Sequence, residues 1–471
     1  MLRDVCSNAS MSTSTPTQDQ ELGRDLKTRH LTMMGLGSAI GAGLFLSTGK
    51  GIQAAGPAVL LSYIVAGVIV IFVMQMLGEL ASARPASGTF ATYGTYAFGN
   101  WAGFSLGWLY WFMLIMVMGA EITGASAIMA NWFGVQPWLP ALIAVLFFSI
   151  VNLAGVRGFG EFEYWFAFIK VAVIAAFMLI GFGLFFGLFP NYDSPGLSHF
   201  SDFVPHGIPG VATGLLAVAF AFGGIEIITI AAAESEDPSR SIASATRAVI
   251  WRISVFYLGS VFLITALLPY ESMGEASGAS DSPFTRVLAL ANIPGVVPFM
   301  EVIIVLALLS AFNAQIYATS RLVFSFAQQG NAPRIFTSVN SSHVPNVAVY
   351  SSLIFAFVSV ALQFWGPDNL IGILFNIVGG SLLVIWAMIT LSEIKLRPEL
   401  EAEGTLVVRM WGYPVLPWIT VILLAGLATL MLWDGDARPQ LLFAIGTFVA
   451  LSVLGLVIAG RSKNPAHTPE A

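Results

Sequence analysis

About 20 consecutive apolar residues cross the hydrocarbon core of a bilayer, and this chain offers such a run twelve times. The runs fall near 31–49, 57–80, 104–131, 137–155, 164–188, 211–233, 248–270, 295–327, 347–365, 370–393, 413–433 and 439–460. The third and eighth are long enough to tilt. A water-soluble alternative lacks the charge: of 471 residues, 10% are charged and 57% hydrophobic, against about 25% charged in soluble domains. The sequence therefore predicts an all-α polytopic membrane protein of 12 transmembrane helices, with lipid as its main solvent.

Lysine and arginine set the expected orientation. With the N-terminus inside, sixteen of the twenty fall to the inner segments (Arg3, Arg24, Lys27, Arg29, Arg84, Arg157, Arg240, Arg247, Arg252, Arg321, Arg334, Lys395, Arg397, Arg409, Arg461 and Lys463). Lys50, Arg286 and Arg438 fall outside, and Lys170 lies within a span. Both termini are expected in the cytoplasm. Residues 1–30, rich in Ser, Thr, Asp and Gln, read as a disordered cytoplasmic tail rather than a signal peptide. Residues 31–460 form the transmembrane domain and 461–471 a short polar tail. The long outer connections, 189–210 and 271–294, read as ordinary loops.

Two spans are built to come apart. The first contains "GLGSAIGAGLF", with Gly35, Gly37, Gly41 and Gly43 in nine residues, and each glycine costs a helix about 1 kcal/mol relative to alanine. The sixth contains "FAFGGIEIITI", where Gly223 and Gly224 precede Glu226. The sixth comes five spans after the first, an odd number, so they run antiparallel at the heads of two five-span halves, 31–188 and 211–393, with two further helices in 413–460. Paired interrupted segments in corresponding positions point to an inverted-repeat transporter with its site at the midplane. Unwinding Ser38–Gly43 exposes N–H donors at the start of a half-helix, which suits a carboxylate. Unwinding Phe222–Ile225 frees carbonyls, which suits an ammonium group. The competing reading is helix packing, since Gly35, Ala39 and Gly43 stand at four-residue spacing.

Ionisable residues at membrane depth are functional candidates. Glu226 follows the second break. Glu121 lies well inside the third span among Gly119, Ala120, Gly124 and Ala125, and either binds and releases a proton or makes a structural interhelical bond. Lys170 sits about 10 Å into the fifth span, where it either snorkels to the inner surface or serves as an internal cation. Glu79 and Arg84 read as inner anchors. Asn313, Gln315 and Tyr317 either line the pathway or pair between helices. Phe220 and Phe222 could cover a ligand.

The absent chemistry is informative too. The single cysteine, Cys6, excludes an intrachain disulfide, and no Cys/His cluster has metal-ligand spacing. "GLFLSTGKG" lacks the spacing and the Ser/Thr of a phosphate-binding loop. No basic tract suggests nucleic acid, and neither an enzyme nor an obligate protein partner is indicated.

The stretches "GSAIGAGLF", "QMLGELASARPASGTFATY", "GEFEYWFAFIKV", "FAFGGIEIITIAAAESEDPSRSI" and "SRLVFSFAQQGNAP" resemble the amino-acid permeases of the amino acid–polyamine–organocation superfamily, over about residues 25–460. Within it the chain is most similar to the bacterial amino acid transporter family, and to its aromatic permeases above all. That resemblance implies a LeuT-like fold of 5+5 inverted spans plus two, and proton-coupled amino-acid import across the bacterial plasma membrane. The driving force would be the proton gradient, with no cofactor. Carried over by motif, Ser38, Ala39, Gly41, Ala42 and Gly43 would meet the substrate carboxylate. Phe220, Ala221, Phe222 and Gly223, with the neighbouring Ile225, would supply carbonyls and an aromatic gate. Glu121, Lys170 and Glu226 would couple protons, Lys170 standing in for a sodium ion. Ala42 departs from the threonine that relatives often carry. The expected substrate is aromatic (Phe, Tyr, Trp), with GABA, proline, histidine or another neutral amino acid as alternatives, and amino-acid exchange as the alternative mode.

Overall fold

The computed structural model describes residues 40–86, 89–154, 156–190, 192–223, 244, 251–273, 282–341, 344–367, 370–435 and 437–461. Regular structure among them is helical, with no strand. In chain order the helices are α1 (Ala42–Phe45), α2 (Thr48–Ala55), α3 (Val59–Ala83), α4 (Thr89–Phe98), α5 (Asn100–Phe133), α6 (Trp138–Ala154), α7 (Val156–Phe185) and α8 (Gly207–Ala219). They continue with α9 (Leu258–Leu267), α10 (Pro283–Leu290), α11 (Val296–Gln328), α12 (Asn346–Trp365), α13 (Leu370–Glu403), α14 (Val415–Trp433) and α15 (Arg438–Arg461). Among the described residues, eight helical stretches are long and apolar enough to cross a membrane. Three shorter apolar helices, Trp138–Leu153, Gly207–Val218 and Ile253–Leu267, accompany them. This is a multi-pass membrane protein.

The organising element is α5, on which α4, α11, α13 and α15 all pack. Its small residues let neighbours approach: a side chain on Gly107 would meet the Phe326 ring of α11. Gly134, in the left-handed region at φ 63°, ends the helix, as glycine does at no steric cost. At the periphery Leu442, Phe443, Val449, Val453 and Leu456 are exposed along α15, an apolar face that only lipid covers at no cost.

Polar side chains tie helices together inside this apolar mass. Asn152 Nδ2 donates to Asn313 Oδ1 at 2.7 Å, so Asn313 pairs α6 with α11. The Arg397 guanidinium of α13 bonds Glu79 of α3, and Glu79 also accepts from the Met410 backbone N–H. Arg84 binds Glu399 and Glu403 at 2.8 and 2.6 Å; the Glu399 bond, above all, pushes its pKa above the ordinary arginine value. Glu79 and Arg84 are thus anchors, as expected.

Three expectations change. The connection over 271–294 is not an ordinary loop, because α10 buries Phe284 against Phe45 and Phe177, with ring centroids at 5.0 and 4.7 Å. The 189–210 connection also docks: the Ala58 N–H donates to the Phe203 carbonyl at 2.9 Å. Arg321, counted with the inner connections, is buried within α11, its guanidinium 4.1 Å from the Tyr317 ring centroid.

Candidate functional site

The described residues open at Ile40, and the first helix among them starts after Gly41. Its extended backbone (φ −150°, ψ −151°) is the N-cap of α1 and supplies no side-chain cap. A helix start leaves its first N–H groups without intrahelical partners. Here the Ala42 N–H is met by a carboxylate from another helix: Glu121 Oε1 and Oε2 of α5 both lie 3.2 Å away. Gly41 makes room for it, because a Cβ there would stand 2.5 Å from Glu121 Oε1. Ala42 and Gly43, expected within the unwound stretch Ser38–Gly43, are already helical. An interruption follows at Leu46 and Ser47, where the Ser47 hydroxyl donates to the Gly43 carbonyl.

The sixth span tightens where its break is expected. Helix α8 gives way to a 3₁₀ turn over Phe220–Phe222, and Gly223 turns the chain. The Ala221 carbonyl accepts a hydrogen bond from the Tyr257 hydroxyl at 3.3 Å. Tyr257 ends a π-helical stretch, Arg252–Tyr257, that leads into α9; such stretches are frequent at functional sites. The Phe222 and Tyr257 rings stack at 4.8 Å with planes 21° apart, and Tyr63 of α3 meets Phe222 edge-on at 6.2 Å. Thr48 Oγ1 and the Tyr63 hydroxyl are 2.9 Å apart.

These two segments touch. A Cβ on Gly43 would lie 2.9 Å from the Ala221 Cα, so glycine alone permits this approach of backbone to backbone. A helix-start N–H and a helix-end carbonyl are thereby brought together, with an aromatic wall of Phe222, Tyr257 and Tyr63 beside them. Such an arrangement can bind opposite charges held a few ångströms apart.

Beside it lies a buried ionic cluster. Lys170 is 1% exposed, which rules out snorkelling to the surface. Its Nζ donates to Ser310 Oγ of α11 at 3.0 Å. Ser310 Oγ in turn donates to Glu163, at 3.2 and 3.1 Å to the two oxygens. The direct Lys170–Glu163 separation is 3.9 Å. Glu121 interacts electrostatically with Lys170.

Of the residues expected in the site, Gly41, Ala42, Gly43, Ala221, Phe222, Gly223 and the Phe220 backbone are thus gathered where the two segments meet, with Glu121 on the first. Ser38, Ala39, Ile225 and Glu226 lie outside the described residues. Sequence reasoning missed Tyr63, Tyr257, Ser310 and Glu163. The last had a legible signal: Glu163 precedes Lys170 by two helical turns and so shares its face. Nothing local distinguishes the two tyrosines among the eleven in the chain.

The sequence profile of the amino acid permease family matches residues 30–464. The chain belongs to the amino acid permease family. This permease is 64% identical over 455 residues to the aromatic amino acid transport protein AroP of Corynebacterium glutamicum, covering 96% of this chain and 98% of that one. It is 38% identical over 448 residues to the gamma-aminobutyric acid permease of Bacillus subtilis, covering 94% of each. It is 34% identical over 418 residues to AroP of Escherichia coli strain K12, covering 88% of this chain and 90% of that one.

Proposed function

We propose that this permease imports amino acids by proton symport, with aromatic amino acids as its preferred substrates. The observation that carries the reading is the close approach of Gly43 to Ala221, with the Glu121 carboxylate on the Ala42 N–H. The names of the relatives from C. glutamicum and E. coli, and the aromatic wall of Phe222, Tyr257 and Tyr63, support an aromatic side chain. The architecture is the LeuT-like one: twelve spans as 5+5 inverted halves plus two, in a bacterial plasma membrane, with both termini inside.

The site already holds an internal stand-in for each end of an amino acid. Glu121 sits where a substrate carboxylate would bind, and the Tyr257 hydroxyl sits on the Ala221 carbonyl that would accept an ammonium. A proton arriving on Glu121 weakens its charge-assisted bond to the Ala42 N–H. The substrate carboxylate then takes that donor, while the substrate ammonium replaces the Tyr257 hydroxyl. Carboxylate binding and proton binding are linked because both oxyanions need the same N–H. By motif, Ser38, Ala39, Ile225 and Glu226 would complete the site, and Lys170 takes part in the proton coupling beside it.

The test is uptake of labelled phenylalanine into proteoliposomes, with and without an inside-alkaline gradient. Gradient-driven accumulation that unlabelled tyrosine and tryptophan compete away supports the reading. The gamma-aminobutyric acid permease among the relatives makes GABA the second substrate to test: competition by GABA and not by tyrosine would replace the substrate. Uptake that ignores the gradient and needs internal amino acid would make the protein an exchanger.

A further inference from the structure

The Lys170–Ser310–Glu163 chain has a direction. Every donor in it faces an acceptor, from the Lys170 ammonium through the Ser310 hydroxyl to the Glu163 carboxylate. At 3.9 Å the lysine and glutamate are too far apart for a direct hydrogen bond, so the hydroxyl is the contact between them. Glu163 is 1% exposed and Ser310 fully buried. Along α7, Glu163 lies about 10 Å nearer the helix start than Lys170, which in the proposed topology is the cytoplasmic side.

We propose that Glu163 is the inner proton station of the transport cycle, reached from Lys170 through Ser310. This rests on the proton-symport reading above. In the step, an N–H bond of the Lys170 ammonium breaks and its proton passes to Ser310 Oγ. The proton that Ser310 carried passes to a Glu163 oxygen. A charged pair becomes a neutral amine and a neutral carboxylic acid, with no other reactant. Glu163 then releases the proton to the inner side, and Lys170 is recharged from Glu121.

Among the described residues, few other charges face this cluster. Glu121 of α5 interacts with Lys170. Glu161 is half-buried on α7 itself, two residues before Glu163 and so round the helix from it. On α11 the ionisable residues Glu301, Tyr317 and Arg321 stand roughly 13, 10 and 16 Å along the axis from Ser310. Helices α6 and α9, which also pack on α7, contain no ionisable side chain. The ionisable residue of α10, Arg286, bonds the exposed Ser272 carbonyl.

Two transport modes separate a relay from a plain counter-ion. Gradient-driven uptake needs a net proton; counterflow, exchanging internal for external substrate, does not. Ser310→Ala cuts the relay and leaves the counter-ion in place. It is expected to slow gradient-driven phenylalanine uptake by about tenfold or more, with counterflow nearly unchanged, and Ser310→Thr, which restores a hydroxyl, should recover the rate. Glu163→Gln keeps an acceptor for Ser310 but takes no proton. It should lose accumulation and the dependence of rate on internal pH, and keep counterflow. Wild-type accumulation in Glu163→Gln, or a neutral Ser310→Ala, overturns the proposal while symport stands. So does an equal fall in both modes, the sign of a structural ion pair. Wild-type protein that ignores the gradient overturns symport itself, and the relay with it.

Discussion

Gly41 and Glu121 compete for one small volume, and that competition is open to test. A methyl group at position 41 would stand 2.5 Å from Glu121 Oε1, closer than any non-bonded contact allows, so Gly41→Ala must push the carboxylate off the Ala42 N–H. Uptake in Gly41→Ala is expected to fall about tenfold or more, the loss of one charge-assisted hydrogen bond being worth roughly 1.5–3 kcal/mol. Normal uptake with normal pH dependence would remove Glu121 from the mechanism. Tyr257→Phe makes a subtler prediction. The Ala221 carbonyl loses its donor, which costs about 1–3 kcal/mol of stability when a buried acceptor is left unmade, so the melting temperature in detergent should fall. The same carbonyl becomes free for the substrate ammonium, so the KM for phenylalanine should drop. A KM that rises would place the tyrosine hydroxyl on the substrate instead. The glycines and Glu121 were legible in the sequence because each breaks a rule of membrane helices. Tyr257 was not, because its role depends on a π-helical offset and on where α8 ends.

Elements are held in place by charge where they leave the apolar core. The Glu79–Arg397 pair joins α3 to α13, and the Met410 N–H adds the connection between α13 and α14. Both side chains are buried. Removing one partner of such a pair costs about 3–5 kcal/mol, because the other charge remains in low dielectric. Arg397→Met should therefore unfold at markedly lower temperature, and adding Glu79→Gln should recover much of the loss. Thermal unfolding of the two variants in one detergent decides it; an additive double variant would mean the pair is not coupled. Long apolar runs announced their helices in the sequence because spanning a bilayer demands length and composition together. Helices α4 and α10 went unread because neither demand applies to them. The sequence of α10, "PFTRVLAL", is short and carries an arginine. What holds it is tertiary: Phe284 inserts between Phe45 and Phe177, and the Ser282 hydroxyl donates to the Phe45 carbonyl at 2.8 Å.

For the whole molecule the open quantity is which way it sits in the membrane. The sixteen-to-three partition of lysine and arginine argues for both termini inside, since positive residues near spans resist translocation. Moving the buried Arg321 out of that sum leaves fifteen to three, so the bias does not rest on it. The chain provides its own probe, because Cys6 is the single cysteine of the sequence. A membrane-impermeant maleimide should leave Cys6 unlabelled in intact cells and label it in inverted vesicles. The mirror measurement uses Ser272→Cys in a Cys6→Ser background. Ser272 is exposed in the 271–294 connection, and should label in intact cells. The inverted-repeat reading ties the two results together: an N-terminus inside and Ser272 outside require an odd number of crossings between them, which seven spans supply. Labelling of both positions from the same side would demand an even number. The first and sixth spans could then no longer be the antiparallel heads of two matched halves, even though Gly43 and Ala221 would still lie against one another.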